Sequence, residues 1–355
     1  MRLIVLSAVL SLLTSLLATP ALIKFLRSRG LAQAIKQSTD GAIYPDHEHK
    51  RGTPSMGGVA MLFSVLVGYT GSHLILWTPP TASGLLVLFL ATALAAVGFV
   101  DDYKKVFKQH SAGIKPRTKI IFQSLIGLSF AFFALQFPDE RGVAPASLAI
   151  SIVRETTLIL PITLMILFLW LMITATTNAV NIADGLDGLA AGAALITFAA
   201  YALMGFWQFG QSCAKDDNIK CYEVRDPLDL AIVAAAFAAA VFGFLWFNTS
   251  PASIIMGDTG SFAIGGGVVA LAIFTNTQIL LLLIGGLFVM TTGSVVLQRI
   301  SFKLRKKRIF LMSPIHHHFE LKGWPEQQIV VRFWILQGLF VGTGMAIFYA
   351  EWVAR

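Results

Sequence analysis

Two adjacent carboxylates, Asp101 and Asp102, close an apolar stretch and are followed at once by Lys104, Lys105 and Lys108. Paired carboxylates beside a basic patch suit a hard divalent cation together with a bound phosphate. One of the pair could also serve as a general base. The plainer reading is a solvated helix end, but the macrodipole disfavours acids at a helix C-terminus. Asn178, Asn181, Asp184 and Asp187 recur every three residues, a spacing that stacks them along one helical face with a slow drift. Capping of the next helix by Asp184, with Asp187 in its first turn, accounts for the carboxylates and leaves the two asparagines unexplained. Asn248 and the run Met256-Gly257-Asp258-Thr259-Gly260-Ser261 form a third cluster. Asp258 there is open between an N-cap and a ligand-binding role, and the flanking glycines permit close backbone approach. His316, His317 and His318 are consecutive, so they cannot all present to one metal. Imidazoles reaching phosphates or sugar hydroxyls fit them better than a shared ion. Lys50-Arg51-Gly52-Thr53-Pro54-Ser55-Met56-Gly57-Gly58 offers bases, hydroxyls and glycines to an anion but lacks the spacing of a P-loop.

The elements that must position these groups follow from composition. Of 355 residues, 56% are hydrophobic and only 13% charged, against roughly 25% charged in a soluble domain. That excludes a soluble enzyme, a disordered regulator and a nucleic-acid-binding domain, and the net charge of +8 reads as membrane topology. A spanning helix needs about 20 apolar residues. Ten such runs are present, over 3–23, 55–77, 83–100, 119–137, 157–178, 188–207, 229–247, 260–275, 278–302 and 330–350. The first has Arg2 before it and Lys24, Arg27 and Arg29 after it, the charge order of an uncleaved anchor with its N-terminus outside. With ten spans, the loops after odd-numbered spans collect 20 of the lysines and arginines and the other face 7, which makes the first face cytoplasmic. All five polar clusters follow odd-numbered spans, so they share that face, as a common site requires. The expected fold is all-α: one polytopic membrane domain over 1–355, ten transmembrane helices, both termini outside and the active site on the cytoplasmic face. Carboxylates for Mg²⁺, bases for phosphates and amides for a nucleobase or sugar would support Mg²⁺-assisted transfer of a phosphorylated group from a cytosolic donor to a lipid acceptor.

The aspartate pair and Asn181-x-x-Asp184-Gly185-Leu186-Asp187-Gly188 resemble the polyprenyl-phosphate N-acetylhexosamine-1-phosphate transferases. The stretch Pro314-Ile315-His316-His317-His318-Phe319-Glu320 with Leu321-Lys322-Gly323-Trp324-Pro325-Glu326, and Lys50-x-Gly52-Thr53-Pro54-x-Met56-Gly57-Gly58, resemble the muramoyl-pentapeptide branch. The resemblance covers essentially the whole chain. It implies transfer of phospho-MurNAc-pentapeptide from UDP-MurNAc-pentapeptide to undecaprenyl phosphate with Mg²⁺, giving lipid I and UMP, by a homodimer in the plasma membrane with no nucleic-acid partner. It also implies roles: Asp258 on Mg²⁺; Asp101 and Asp102 near the lipid phosphate, with Asp101 the favoured base; Asn181, Asp184 and Asp187 on the nucleotide. Lys50, Lys119, Asn248, His316, His317 and His318 would contact phosphates, uridine or muramoyl groups, with Asn178 on the same substrate-binding face. Two positions depart from the pattern. Ile255 stands where an aromatic residue is common, and Asn248-Thr249-Ser250-Pro251 replaces Asn-Ala-His-Pro.

A phosphate monoester is already mostly dianionic at neutral pH, its second pKa being about 6. Direct attack on the donor is therefore expected in preference to an aspartyl-phosphate intermediate. Two alternatives stand beside this reading. A sister transferase using UDP-GlcNAc would lack the histidine stretch. A transporter of anionic lipid or nucleotide would carry polar groups at mid-span in related halves, which the pattern does not show. Cys213 and Cys221 fall in the outer loop after the sixth span, where a disulfide and two free thiols are both open.

Overall fold

The computed structural model describes residues 1–31, 52–108, 113–215 and 220–354. Lys50, with His47 and Arg51, lies outside the described residues. Among the described residues, ten long helices overlap the ten apolar runs: α1 (Arg2–Ser28), α2 (Gly57–Ile75), α3 (Ala82–Val106), α4 (Pro116–Ala134), α5 (Ile162–Ala183), α6 (Leu189–Gly210), α7 (Pro227–Asn248), α8 (Gly257–Phe274), α10 (Gly286–Arg305) and α12 (Glu326–Ala354). Two short helices, α9 (Leu281–Ile284) and α11 (Ile315–Leu321), lie between them. Among the described residues, eight helices are long and apolar enough to cross a membrane. The other two long ones carry charge at one end: Arg117 and Lys119 in α4, and Arg299, Lys303 and Arg305 in α10. This is a mostly helical, multi-pass membrane protein.

Helix α8 is the axis of the bundle. Every residue from Thr259 to Phe274 is buried, with α3, α5 and α2 packed around it. Packing inside lipid relies on close backbone approach. A Cβ on Gly58 would overlap the backbone of Gly260, and one on Gly98 would overlap the carbonyl of Asp258. Glycine at these two points lets α2 and α3 seat their ends against the start of α8. Helix α1 uses the same device. Ser7, Ser11, Ser15 and Thr19 recur every four residues and are buried. Ser11 sits on Gly68, Ser15 sits on Gly243, and the Ser15 hydroxyl donates to Ala240 O at 2.8 Å.

The connections divide between the two ends of the bundle. One end holds the α2–α3 turn made by Pro79 and Pro80, where Thr81 caps α3 by accepting from Gly84 N at 3.3 Å. There Asp229, in the first turn of α7, accepts from Thr81 Oγ1 at 2.6 Å and Tyr69 Oη at 2.8 Å and meets His73 Nε2 at 3.0 Å. The Cys213–Cys221 disulfide is formed, which settles the question left open above. The polar clusters, so far as they fall within the described residues, gather at the opposite end, described below.

Three expectations need correction. The chain is not purely α-helical: β1 (Ala149–Ser151) and β2 (Glu155–Ile159) form an antiparallel hairpin. The β-branched residues Thr156, Thr157 and Ile159 favour strand, and α5 starts only after Pro161, so the span placed at 157–178 begins five residues later. The run 278–302 is not one helix. It breaks at Gly285 into α9 and α10. Buried Gln337 of α12 satisfies the freed backbone on both sides, accepting from Leu287 N at 2.9 Å and donating to Ile284 O at 2.7 Å. Finally, the three histidines, which fall between the ninth and tenth runs and would on that pattern lie in a connecting loop, sit on the helix α11.

Candidate active site

Asp101 and Asp102 lie just before the last turn of α3 and are buried despite their charge. Successive helical positions point about 100° apart, so the two carboxylates meet different partners. Asp101 faces α4. Its Oδ2 pairs with Lys105 Nζ at 2.6 Å and with Lys119 Nζ at 3.0 Å, and its Oδ1 accepts from Ile114 N at 2.6 Å. Gly113 supplies the positive φ (61°) this turn needs, and a Cβ there would strike the Asp101 carboxylate. Asp102 faces the start of α8. Its Oδ1 accepts from Asp258 N at 3.0 Å, and its Oδ2 accepts from Thr259 N at 2.8 Å and Thr259 Oγ1 at 2.6 Å. A carboxylate of α3 therefore caps the N-terminus of α8, the end where backbone N–H groups are unsatisfied and negative charge is favoured.

Asp258 does not cap its own helix; the N-cap position is Met256, and Asp258 lies within the first turn. Its Oδ1 accepts from Asn181 Nδ2 at 3.0 Å. Its Oδ2 pairs with Lys119 Nζ and, at 3.3 Å, with Lys105 Nζ. Asn181 also donates to Ser261 Oγ at 2.9 Å, which binds α5 to α8 beside the carboxylate. Ligand oxygens of Asp101, Asp102 and Asp258 lie within 4.8 Å of one another. Three carboxylates against two ammoniums leave one net negative charge. An oxygen-only set of this charge fits a hard divalent cation. An ion bound there would share Asp258 Oδ2 with the two lysines or displace them, and the freed ammoniums would be placed to meet phosphate oxygens.

The other predicted residues, Lys50 apart, lie on the turns, α5, the end of α7 and the short helix α11 at this end. Asp184 does not cap α6; it ends α5, and Gly188 with φ of 77° starts α6. Asp187 Oδ2 accepts from Ala252 N at 3.0 Å. Asn248 is buried, and both ends of its amide are bound to backbone: Oδ1 accepts from Gly188 N at 3.1 Å and Nδ2 donates to Ile254 O at 2.9 Å. Asn248 thus holds the two turns together. Asn178 points toward α4, donating to Gln123 Oε1 at 3.1 Å and to Thr174 O at 2.8 Å. On α11, His316 is buried against Gly185, whose missing side chain leaves room for the imidazole. His317 Nδ1 pairs with Glu320 at 2.5 Å, and His318 Nδ1 accepts from Leu311 N at 3.1 Å. Partial burial and the neighbouring Lys322 depress the His318 pKa below its ordinary value, in keeping with a neutral ring that accepts at Nδ1. The start of α2 joins the same end through Gly57 N to Ile255 O and Ile255 N to Pro54 O, at 2.9 and 2.8 Å.

Comparison with known proteins gives this arrangement a family. The family model for glycosyl transferase family 4 matches residues 84–276. The phospho-N-acetylmuramoyl-pentapeptide-transferase signature 1 matches residues 50–62. A phospho-N-acetylmuramoyl-pentapeptide-transferase of Frankia alni is 50% identical over 356 residues, covering 100% of this chain and 99% of that protein. Proteins of the same name from Thermobifida fusca and Streptomyces avermitilis are each 49% identical, covering 99% and 100% of this chain and 99% of theirs. The chain belongs to the phospho-N-acetylmuramoyl-pentapeptide-transferase family.

Family membership sets aside the transporter alternative and leaves an enzyme whose acidic cluster can hold a metal. The structure brings Asp101, Asp102, Asp258, Lys119 and Asn181 into one cluster. Three members of that cluster were absent from the predicted set: Lys105, Thr259 and Ser261. Lys105 carried a visible signal, since it lies four residues after Asp101 on one helix face. Thr259 and Ser261 carried none beyond their place next to Asp258.

Proposed function

We propose that this protein transfers phospho-MurNAc-pentapeptide from UDP-MurNAc-pentapeptide to undecaprenyl phosphate, giving lipid I and UMP, with Mg²⁺, at the cytoplasmic face of the plasma membrane. This is the first membrane step of peptidoglycan synthesis. The observation that carries the reading is the cluster of three carboxylates and two lysines at one end of the bundle, in a chain about half identical to its relatives over its full length. In the reaction an oxygen of the lipid phosphate attacks the donor's β-phosphorus. A new phosphorus–oxygen bond forms, the bond from β-phosphorus to the bridging oxygen breaks, and UMP leaves with the electron pair. Asp258 would hold Mg²⁺, which would supply charge neutralisation on the pyrophosphate.

The chain's own groups supply the rest. Lys105 and Lys119, released from Asp258 Oδ2, would bind phosphate oxygens. Asp101, held between the same lysines, would orient the acceptor and take its residual proton. Asp102 acts through α8 and not on substrate, because both its oxygens are occupied by Asp258 and Thr259. The turn from Asn181 to Asp187, with Asp184, His316, His317 and His318, would form the donor side. Lys50, beyond the described residues, is assigned to the phosphates from its motif alone. Ten spans, outer termini and a homodimer complete the proposal.

The deciding assay is UMP release by purified protein in detergent, given UDP-MurNAc-pentapeptide, undecaprenyl phosphate and Mg²⁺. A UDP-GlcNAc arm and an Asp258→Ala control run beside it. Release with the muramoyl donor only, lost on chelation and in the variant, is the expected result. Release with UDP-GlcNAc only would move the chain to the sister activity. No release with either donor from folded protein would refute the reading.

A further inference from the structure

We infer that Glu326, the first residue of α12, is a positioning residue that sets the donor-side turn and thereby donor affinity; this rests on the donor-side role proposed above for the turn ending at Asp187. The turn between α5 and α6 contains Asp187, which is 7% exposed. Its backbone N–H lies outside any helix and needs an acceptor. The acceptor comes from the far end of the chain: Glu326 Oε1, at 2.7 Å. The side chain of the same Asp187 accepts from Ala252 N at 3.0 Å in the next polar turn. Glu326, Asp187 and Ala252 thus form a relay from α12 through the first turn to the second.

Neighbouring contacts run in the same direction. Gln327 Nε2 donates to Ser250 O at 3.3 Å. Two turns along α12, Trp334 Nε1 donates to Leu189 O at 3.3 Å, and its ring fills the space that a side chain on Gly192 would take. The start of α12 therefore grips both turns. Glu326 is the acid in the first turn of α12, and it bonds the Asp187 N–H while Asn248 of α7 bonds the next one, Gly188 N. None of these α12 contacts touches Asp101, Asp258 or the lysines. Loss of Glu326 should therefore loosen the donor-side turn and leave the reacting cluster intact.

The Asp187 donor is an uncharged peptide N–H, so this bond requires an acceptor oxygen and not a negative charge. Glu326→Gln preserves the acceptor; Glu326→Ala removes it. Loss of a hydrogen bond to an acceptor of either charge state corresponds to up to roughly a tenfold change in an equilibrium constant. We expect Glu326→Ala to raise KM for UDP-MurNAc-pentapeptide about tenfold, with kcat within about twofold and KM for undecaprenyl phosphate unchanged. Such a split marks lost ground-state binding. Glu326→Gln should stay near wild type in all three constants. If Glu326→Ala fails to fold in detergent, Glu326→Asp, one methylene short of the N–H, is read in its place. Equal impairment of the Gln and Ala variants would overturn the inference, as would a fall in kcat at unchanged donor KM or a rise confined to the lipid acceptor. Wild-type protein inactive on the muramoyl donor would instead refute the function proposed above.

Discussion

Replacement of Asp102 by asparagine separates holding a helix from doing chemistry. In the native structure two carboxylate oxygens accept three hydrogen bonds from the start of α8, at 3.0, 2.8 and 2.6 Å, in a place that is 2% exposed. Asparagine has one carbonyl oxygen. Turned toward Thr259 it keeps two donors, but its own amide N–H then confronts the N–H of Asp258. Orphaning one buried donor costs about 1–3 kcal/mol, and the two retained bonds lose their charge assistance. The sum is about 2–4 kcal/mol. Part of it appears as lost stability and part as misplacement of Asp258, the residue whose own N–H is released. Thermal unfolding in detergent should show a lower Tm for Asp102→Asn. A Mg²⁺ titration of UMP release should show a raised half-saturation, with turnover recovered at high Mg²⁺. Thr259→Val, which loses only the hydroxyl bond, should show the same pattern at about 1 kcal/mol. A variant that unfolds at the wild-type temperature and yet turns over at no Mg²⁺ concentration would refute this reasoning, since the carboxylate would then be reacting directly.

Asn181→Leu removes the donor to Asp258 Oδ1 and to Ser261; kcat should fall about 10- to 100-fold, and wild-type turnover under saturating substrates would contradict the assignment. Gly98→Ala places a methyl group against the carbonyl of Asp258, so a loss of about 1–3 kcal/mol is expected, read as a lower Tm. Opening the disulfide by Cys213→Ser frees a loop with a sequence separation of 8, worth about 2–3 kcal/mol by loop entropy; Tm should drop while turnover at the opposite end of the bundle persists. His318 has a depressed pKa caused by burial and by Lys322. The unfolded chain therefore binds the extra proton first, and stability present above the ordinary histidine pKa is lost as pH falls through the folded value. Tm should decline below about pH 6.5, and the His318-dependent part of that decline should vanish in His318→Gln.

The spans were legible because apolar runs of membrane length admit few other readings, and the odd-numbered placement of the polar clusters pointed to one shared end. Where the structure departs, the cause is an interaction remote in sequence. Gly285-Gly286 is a local mark of a break, but nothing around it shows how the freed backbone would be satisfied inside an apolar run; the break persists because Gln337, some fifty residues later, bonds both sides of it. The end of the hairpin, 157–159, was absorbed into a helix prediction because its β-branched residues adjoin a long apolar run, and the rest of it was left outside any element. Asn248 was read as a substrate contact because amides suit nucleotides, whereas its burial and two backbone bonds make it a tie between turns. Likewise the adjacency of Asp101 and Asp102 suggested a joint role. Only the placement of α4 on one side and α8 on the other shows that one faces lysines and the other a helix start.

That division also resolves the electrostatic objection to two acids at the end of α3. At the C-terminus of their own helix both carboxylates oppose the macrodipole, by up to about 1 kcal/mol each when exposed and more when buried. Neither is left facing that end alone. Asp102 lies across the N-terminus of α8, where the dipole of the second helix favours an anion and three donors converge on it. Asp101 lies between two ammoniums, one from its own helix and one from α4. The compensation is therefore unequal in kind. The one carried by α8 is fixed by backbone geometry and cannot be exchanged for a ligand without unwinding the helix start. The one carried by Lys105 and Lys119 rests on long flexible side chains that can turn to a phosphate. Once they turn, Asp101 and Asp258 lose their counter-charges together, and the cluster gains affinity for a divalent cation as the phosphates arrive. Substrate and metal binding should on this ground be mutually reinforcing, with Asp102 the fixed point about which the exchange occurs.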